Sequence, residues 1–336
     1  MMKGEMSVFF YCNLLIFTLF TTCSPSPASP HIHAHNRGQE REEDGGYVPR
    51  DAQHYAGGEH HSEFDHVAIL GSVKEAEAFD QLEPEEAKRR LQILLTKMDL
   101  NNDQMIDRNE LHAWIIRSFK MLSEEDANDR FEDADENEDG KVTWAEYAAD
   151  SFGLGANEDD DVSNDSNDSD AKIIKEDKMI FEAADKNKDG ALDKSEFVRF
   201  SHPEDHPDML PLILKQTLSE KDTDGDGFID FKEFVGEKAR HEDKEWLMVE
   251  KEKFDHDYDK DSDGKLNSAE ILSWVVPSDE EIAEDEVSHL FAESDDNEDG
   301  ILSFDEVINH HETFVGSEVT DYGDHLHNIH VFQDEL

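Results

Sequence analysis

Six times the chain repeats a twelve-residue acidic segment that ends in glutamate. The segments start at Asp99, Asp135, Asp185, Asp222, Asp259 and Asp295 and end at Glu110, Glu146, Glu196, Glu233, Glu270 and Glu306. Oxygen-bearing side chains recur at positions 1, 3, 5, 9 and 12, and position 8 is always aliphatic: Ile106, Val142, Leu192, Ile229, Leu266, Leu302. Position 6 is glycine in five segments (Gly140, Gly190, Gly227, Gly264, Gly300) and Gln104 in the first. Chance could supply one such match in a chain with 85 Asp and Glu. Six in register leave a plain solvated charge run almost no room.

A hard dication explains every fixed position. Calcium takes six to eight oxygens, and a twelve-residue loop wraps it when alternate side chains point inward, position 7 turns its carbonyl inward and the last glutamate gives two oxygens. Glycine at position 6 provides the positive φ of the sharp turn. This is the EF-hand loop, and it assigns a Ca2+ ligand set to each segment. In the first loop the set is Asp99, Asn101, Asp103, Met105, Asp107 and Glu110. The second has Asp135, Asn137, Asp139, Lys141, Thr143 and Glu146; the third has Asp185, Asn187, Asp189, Ala191, Asp193 and Glu196. The fourth offers Asp222, Asp224, Asp226, Phe228, Asp230 and Glu233. Asp259, Asp261, Asp263, Lys265, Asn267 and Glu270 make the fifth, and Asp295, Asn297, Asp299, Ile301, Ser303 and Glu306 the sixth.

Amphipathic helices flank the loops. Leu91, Leu94, Leu95 and Met98 precede the first at helical spacing, and Leu111, Trp114, Ile115 and Phe119 follow it. Ile271, Trp274 and Val275 follow the fifth until Pro277 ends the run. These residues read as helix core. Trp144, at position 10 of the second loop, is placed to sense the ion. The expected fold is all-α: three pairs of helix–loop–helix hands, with a short β-contact between paired loops. The loops start 36, 50, 37, 37 and 36 residues apart. The long step suggests pairing of one with two, three with four and five with six, in blocks 79–152, 171–240 and 241–316.

The remaining segments read differently. A 13-residue apolar stretch, Val8 to Phe20, follows Lys3 and precedes small residues, so residues 1–23 are expected to be a secretory signal cleaved after Cys23. The stretch is short for a membrane span, and membrane insertion is not expected. Cys12 and Cys23 both fall within the signal, which leaves metal rather than disulfides as the staple. Residues 24–78 are expected to be a disordered histidine-rich and acidic segment. His31, His33 and His35 in it read as a solvated spacer, since no further ligands complete a site. Residues 153–170 form an acidic linker with N-x-S sequons at Asn164 and Asn167, open to glycosylation. The tail 317–336 ends Gln333-Asp334-Glu335-Leu336, close to the K-D-E-L or H-D-E-L read by the endoplasmic-reticulum retention receptor.

A formal net charge of -54 excludes nucleic acid as a natural partner and disfavours anionic membrane surfaces. No G-x-S-x-G, P-loop or H-E-x-x-H occurs, and the carboxylate clusters are absorbed by the loops, so no enzyme is expected.

Signal, six EF-hands, cysteine-poor acidic chain and terminal D-E-L together resemble the reticulocalbin and calumenin (CREC) family. The stretch Glu245 to Pro277, EWLMVEKEKFDHDYDKDSDGKLNSAEILSWVVP, and the tail TDYGDHLH, Thr320 to His327, carry the likeness most closely. The resemblance implies luminal, low-affinity, multi-site calcium binding with roles in secretory-pathway folding and regulation, and partners among secretory-pathway clients. A calcium-dependent chaperone or regulator that docks specific clients is the alternative. Two departures stand out: Gln104 at the turn of loop one and Gln333 in the retention signal.

Overall fold

The structure is a computed structural model that describes residues 41–42, 45–55, 60–153, 169–240 and 243–316. The signal segment, His31, His33, His35, the sequons at Asn164 and Asn167 and the C-terminal tail lie outside the described residues.

Two helices precede the first hand: α1 (Glu63–Leu70) and α2 (Val73–Asp80). Hand one is α3 (Pro84–Met98), loop one with β1 (Met105–Ile106), and α4 (Arg108–Ala134). α4 continues without a break into loop two, which carries β2 (Val142–Thr143) and leads to α5 (Trp144–Phe152). Hand three is α6 (Ser169–Ala184), β3 (Ala191–Leu192) and α7 (Lys194–Ser201); hand four is α8 (Leu210–Lys221), β4 (Ile229–Asp230) and α9 (Phe231–Val235). Hand five runs from α10 (Lys244–Lys253) through a π-helical turn, Phe254–Tyr258, to β5 (Lys265–Leu266) and α11 (Ser268–Val275). Hand six is α12 (Asp279–Ser294), β6 (Leu302–Ser303), α13 (Phe304–Asn309) and α14 (His311–Val315). The expected all-α fold with short inter-loop strands is what the chain adopts.

The partners differ from those expected. β2 pairs with β3, β4 with β5, and β1 with β6, all antiparallel. The aliphatic residues at position 8 do meet across each contact, as Val142 opposite Leu192, Ile229 opposite Leu266 and Ile106 opposite Leu302. The expected pairs of consecutive loops, one with two, three with four and five with six, are corrected. The reason lies in α4. It is at once the exit helix of hand one and the entry helix of hand two, 27 residues without a break. At 1.5 Å per residue it holds loops one and two roughly 40 Å apart. Loop two therefore turns to loop three across the linker, four turns to five, and one is left for six. First and last hands close on each other.

Three apolar cores follow this pairing. Ile106 and Leu302 lie in a core built from hands one and six, Val142 and Leu192 in one from hands two and three, and Ile229 and Leu266 in one from hands four and five. The helix-face residues behave as their spacing indicates: Leu91, Leu95, Met98, Leu111, Ile115, Phe119, Ile271, Trp274 and Val275 are buried. α11 ends at Val275, just before Pro277.

The expectation that residues 24–78 are disordered is also corrected, for the described part. Tyr47 is buried and donates its backbone N–H to the Val275 carbonyl at 2.8 Å. Ala68, Ile69 and Leu70 of α1 and Ala76 and Phe79 of α2 are buried in the core of hands one and six. The acidic and histidine composition conceals a short apolar run, and burial of Ile69, Leu70 and Phe79 is worth about 1.5–3 kcal/mol each. Arg50 anchors the same segment. Its guanidinium donates to Asp279 at 2.9 Å and to Asp205 and Ser123 at 2.8 Å each, touching hand six, the turn after hand three, and α4.

Candidate metal centres

Each loop is organised around its first and last carboxylates. Asp99 accepts from the Gln104 N–H at 2.9 Å and the Asn102 N–H at 2.6 Å. Glu110 accepts from Leu100 and Asn101 through one oxygen and from the Asp107 N–H through the other. The N–H of residue 6 reaches the first aspartate in the other five loops as well. These bonds fold the chain back on itself in every loop.

Position 9 has a second duty. Asp107, Thr143, Asp193, Asp230, Asn267 and Ser303 each cap the following helix, and the glutamate three residues on completes a capping box in all six. The last ligand is thus fixed by the helix start that it helps to form. The 9-to-12 spacing of Ser, Thr, Asp or Asn before Glu was visible in the sequence as a helix start as well as a ligand pattern.

Backbone conformation repeats too. Position 6 is left-handed in every loop, at φ +80° to +88° for the five glycines and +65° for Gln104. Position 4 is also left-handed: Asn102, Glu138, Lys188, Gly225, Ser262 and Glu298 lie between +56° and +75°. Only the position 6 turn was anticipated from the sequence. Loop one alone holds side chains at both.

The donor set fits a calcium ion. Asp99, Asp135, Asp185 and Asp259 are buried, as are Glu110, Glu196, Glu233, Glu270 and Glu306. Buried carboxylates require a cation or strong hydrogen bonds. In loop five, partial desolvation and repulsion from Asp263 and Glu270 push the exposed Asp261 carboxyl up. That crowding is what a dication relieves. Asp222, Asp224 and Glu233 in loop four, and Asp259, Asp261 and Asp263 in loop five, each bring one oxygen within 4.8 Å of the others. In loops two, three and six the Asn at position 3 lies within hydrogen-bond reach of the glutamate at position 12.

Two lysines enter the neighbouring loop. Lys141, at position 7 of loop two, contacts the Asp189 carboxylate of loop three, and Lys265 of loop five contacts Asp226 of loop four. Hydrogen bonds from these ammonium groups hold Asp189 and Asp226 below the usual carboxylate range. The pair formed by loops one and six has Met105 and Ile301 at position 7 instead. Trp144 packs on Tyr147 and Phe181, each with ring centroids 5.6 Å apart, so it senses the core of hands two and three.

With this geometry in view, the comparisons decide the family. The model of an EF-hand domain pair matches residues 88–150, 174–237 and 251–310. Mouse Reticulocalbin-2 is 38% identical over 289 residues, covering 84% of this chain and 90% of that protein. The chain belongs to the reticulocalbin family. Reticulocalbin-2 of Crotalus adamanteus is 38% identical over 285 residues, covering 83% and 93%, and the Rattus norvegicus protein of the same name matches at 38% over 289. The EF-hand match and the reticulocalbin relatives imply that the chain binds Ca2+. No helix among the described residues is long and apolar enough to cross a membrane.

Proposed function

We propose that this reticulocalbin is a non-enzymatic, multi-site, low-affinity calcium binder of the endoplasmic-reticulum lumen that buffers calcium and supports secretory-pathway folding. One observation carries the reading: six loops on the same hydrogen-bonded frame share three cores, with carboxylate oxygens within 4.8 Å of one another in loops four and five, which couples binding to folding. Modules working where calcium is plentiful bind it at ~10⁻⁴ to 10⁻³ M. Loops two and six carry three acidic ligands each and a hydroxyl at position 9, Thr143 and Ser303, and are the weakest. Calorimetric titration should give several sites in the high-micromolar to millimolar range; several nanomolar sites would move the protein to a sensor or cytosolic-type buffer. The luminal placement rests on the signal-like N-terminus and the terminal D-E-L, and a retention receptor is the partner that the tail would meet. Deleting Gln333 to Leu336 should release the protein to the medium.

A second reading, docking of a client protein, is favoured by a cleft of about 660 Å³ beside hands four and five, lined in part by Tyr47, Phe234, Trp246, Tyr258 and Trp274. Affinity capture with calcium and with chelator distinguishes the two: a client retained only with calcium supports docking.

A further inference from the structure

We propose that His54, His60, His289 and Asp65 form a binding site for a zinc-class divalent ion, separate from the six calcium loops. The ligands come from three places in the chain. His54 and His60 flank α1 on its N-terminal side, Asp65 is in its first turn, and His289 is on α12 of hand six. One ligand atom from each lies within 4.8 Å of the rest. His54 Nε2 is 2.7 Å from Asp65 Oδ1, His60 Nε2 is 3.1 Å and His289 Nε2 3.5 Å from Asp65 Oδ2, and the two Nε2 atoms of His54 and His60 are 3.0 Å apart. Four ligands at 2.0–2.1 Å from a tetrahedral zinc stand about 3.3 Å from one another. The separations of 2.7–3.5 Å bracket that value.

One hydrogen bond, between His54 Nε2 and His60 Nε2, lies within the cluster, and it leaves Asp65 and His289 unaccounted for. Asp65 is fully buried, yet neither of its oxygens receives a well-directed donor, and His289 Nε2 is likewise without a partner. Short distances without aligned donors are what convergent lone pairs give. An unpartnered buried carboxylate is costly, and a dication at the common point would satisfy it together with the three ring nitrogens.

The surroundings orient the rings. Tyr55 Oη lies 3.2 Å from His289 Nδ1, which leaves Nε2 as the inward nitrogen. Glu286, one helical turn before His289 and 1% exposed, lies behind His54 with Oε2 3.8 Å from Nδ1, beyond hydrogen-bond distance. Three imidazoles and one carboxylate suit zinc or a related transition metal; calcium takes oxygen donors only. The calcium loops contain no histidine, so the two ion classes are sorted by ligand chemistry.

The test is a zinc titration of the full chain saturated with calcium. One zinc ion should bind more tightly than the rest, and the double variant His54→Gln, His289→Gln should lose that site while its calcium stoichiometry and circular dichroism stay unchanged. Tyr55→Phe should weaken the site about 10-fold. X-ray absorption at the zinc edge of the unsubstituted protein needs no variant to fold, and it should show a four-coordinate ion with imidazole scattering. The triple variant His31→Gln, His33→Gln, His35→Gln should keep both the site and that spectrum. No tight zinc site under saturating calcium overturns the proposal. So does a site lost only in the triple variant, or a six-coordinate spectrum of oxygen ligands alone.

Discussion

At the scale of single residues, the loops differ in strain and in charge, and both differences are measurable. Gln104 holds φ +65° where the other loops place glycine. A side chain in the left-handed region costs on the order of 1 kcal/mol, and in loop one it adds to Asn102 at φ +63°. Gln104→Gly should tighten the first site by roughly 5-fold, the equivalent of that energy, in a calorimetric titration; unchanged affinity would mean that calcium binding does not work against the turn. Charge acts in loops three and four. Lys265 and Lys141 occupy the position 5 aspartates of their partner loops, and an ammonium must move aside before Asp226 or Asp189 takes calcium. Lys265→Met should raise the affinity of loop four and make it less dependent on ionic strength, since the lysine's competition is exposed and screened by salt. The loops themselves were legible from spacing alone, because calcium fixes side-chain chemistry at numbered positions. The lysines were not, because their effect crosses from one loop to another.

Elements show where local reading stops. Helix faces such as Leu91, Leu95 and Met98, and the stop before Pro277, follow from periodicity and from the proline ring. The pairing of loops did not follow, because spacing in the sequence does not reveal that α4 is one rigid helix shared by two hands. Helices α1 and α2 were hidden by their setting: a polar composition dominated the segment, and eight-residue helices are stable only when packed on something else. The packing of α7 against α4 supplies a pH test. His202, the C-cap of α7, lies 2.9 Å from Asp126 on α4 and 3.5 Å from Glu204. Burial disfavours its charge, but hydrogen bonds from the ring to Asp126 and Glu204 outweigh this and raise its pKa to about 9. The folded value lies above the ordinary 6.5, so the contribution is complete below pH ~6.5 and is lost as pH rises through about 9. In calcium-saturated protein the melting temperature should fall between pH 7 and 10, and His202→Gln should flatten that part of the profile. An identical fall in the variant would assign it to other groups.

The whole molecule combines a strong self-repulsion with a ring of contacts that only its ends can close. Arg50 is part of that closure, joining the N-terminal segment to α4, to the turn after hand three and to α12. Arg50→Ala leaves Asp205 and Asp279 facing each other without a cation. It should cost roughly 2 kcal/mol, the range for hydrogen bonds to charged groups, less than a fully buried pair because the three side chains are 21–33% exposed. Calcium supplies the larger share. Net charge is -54, and six ions neutralise twelve of those units in the interiors of the loops, where carboxylates are closest. A ligand present at tenfold over a Kd of ~10⁻⁴ M adds about 1.4 kcal/mol per site, hence about 8 kcal/mol for six. That equals the whole stability of many domains. Chelation should therefore lower the melting temperature by roughly 15 °C or more, reduce helicity in far-ultraviolet circular dichroism and enlarge the particle in scattering. The β1–β6 contact should be lost early, because it closes the longest loop of chain and its ordering entropy is the greatest. A calcium-free protein with the same size, helicity and melting temperature would show that the three cores hold the fold without the metal.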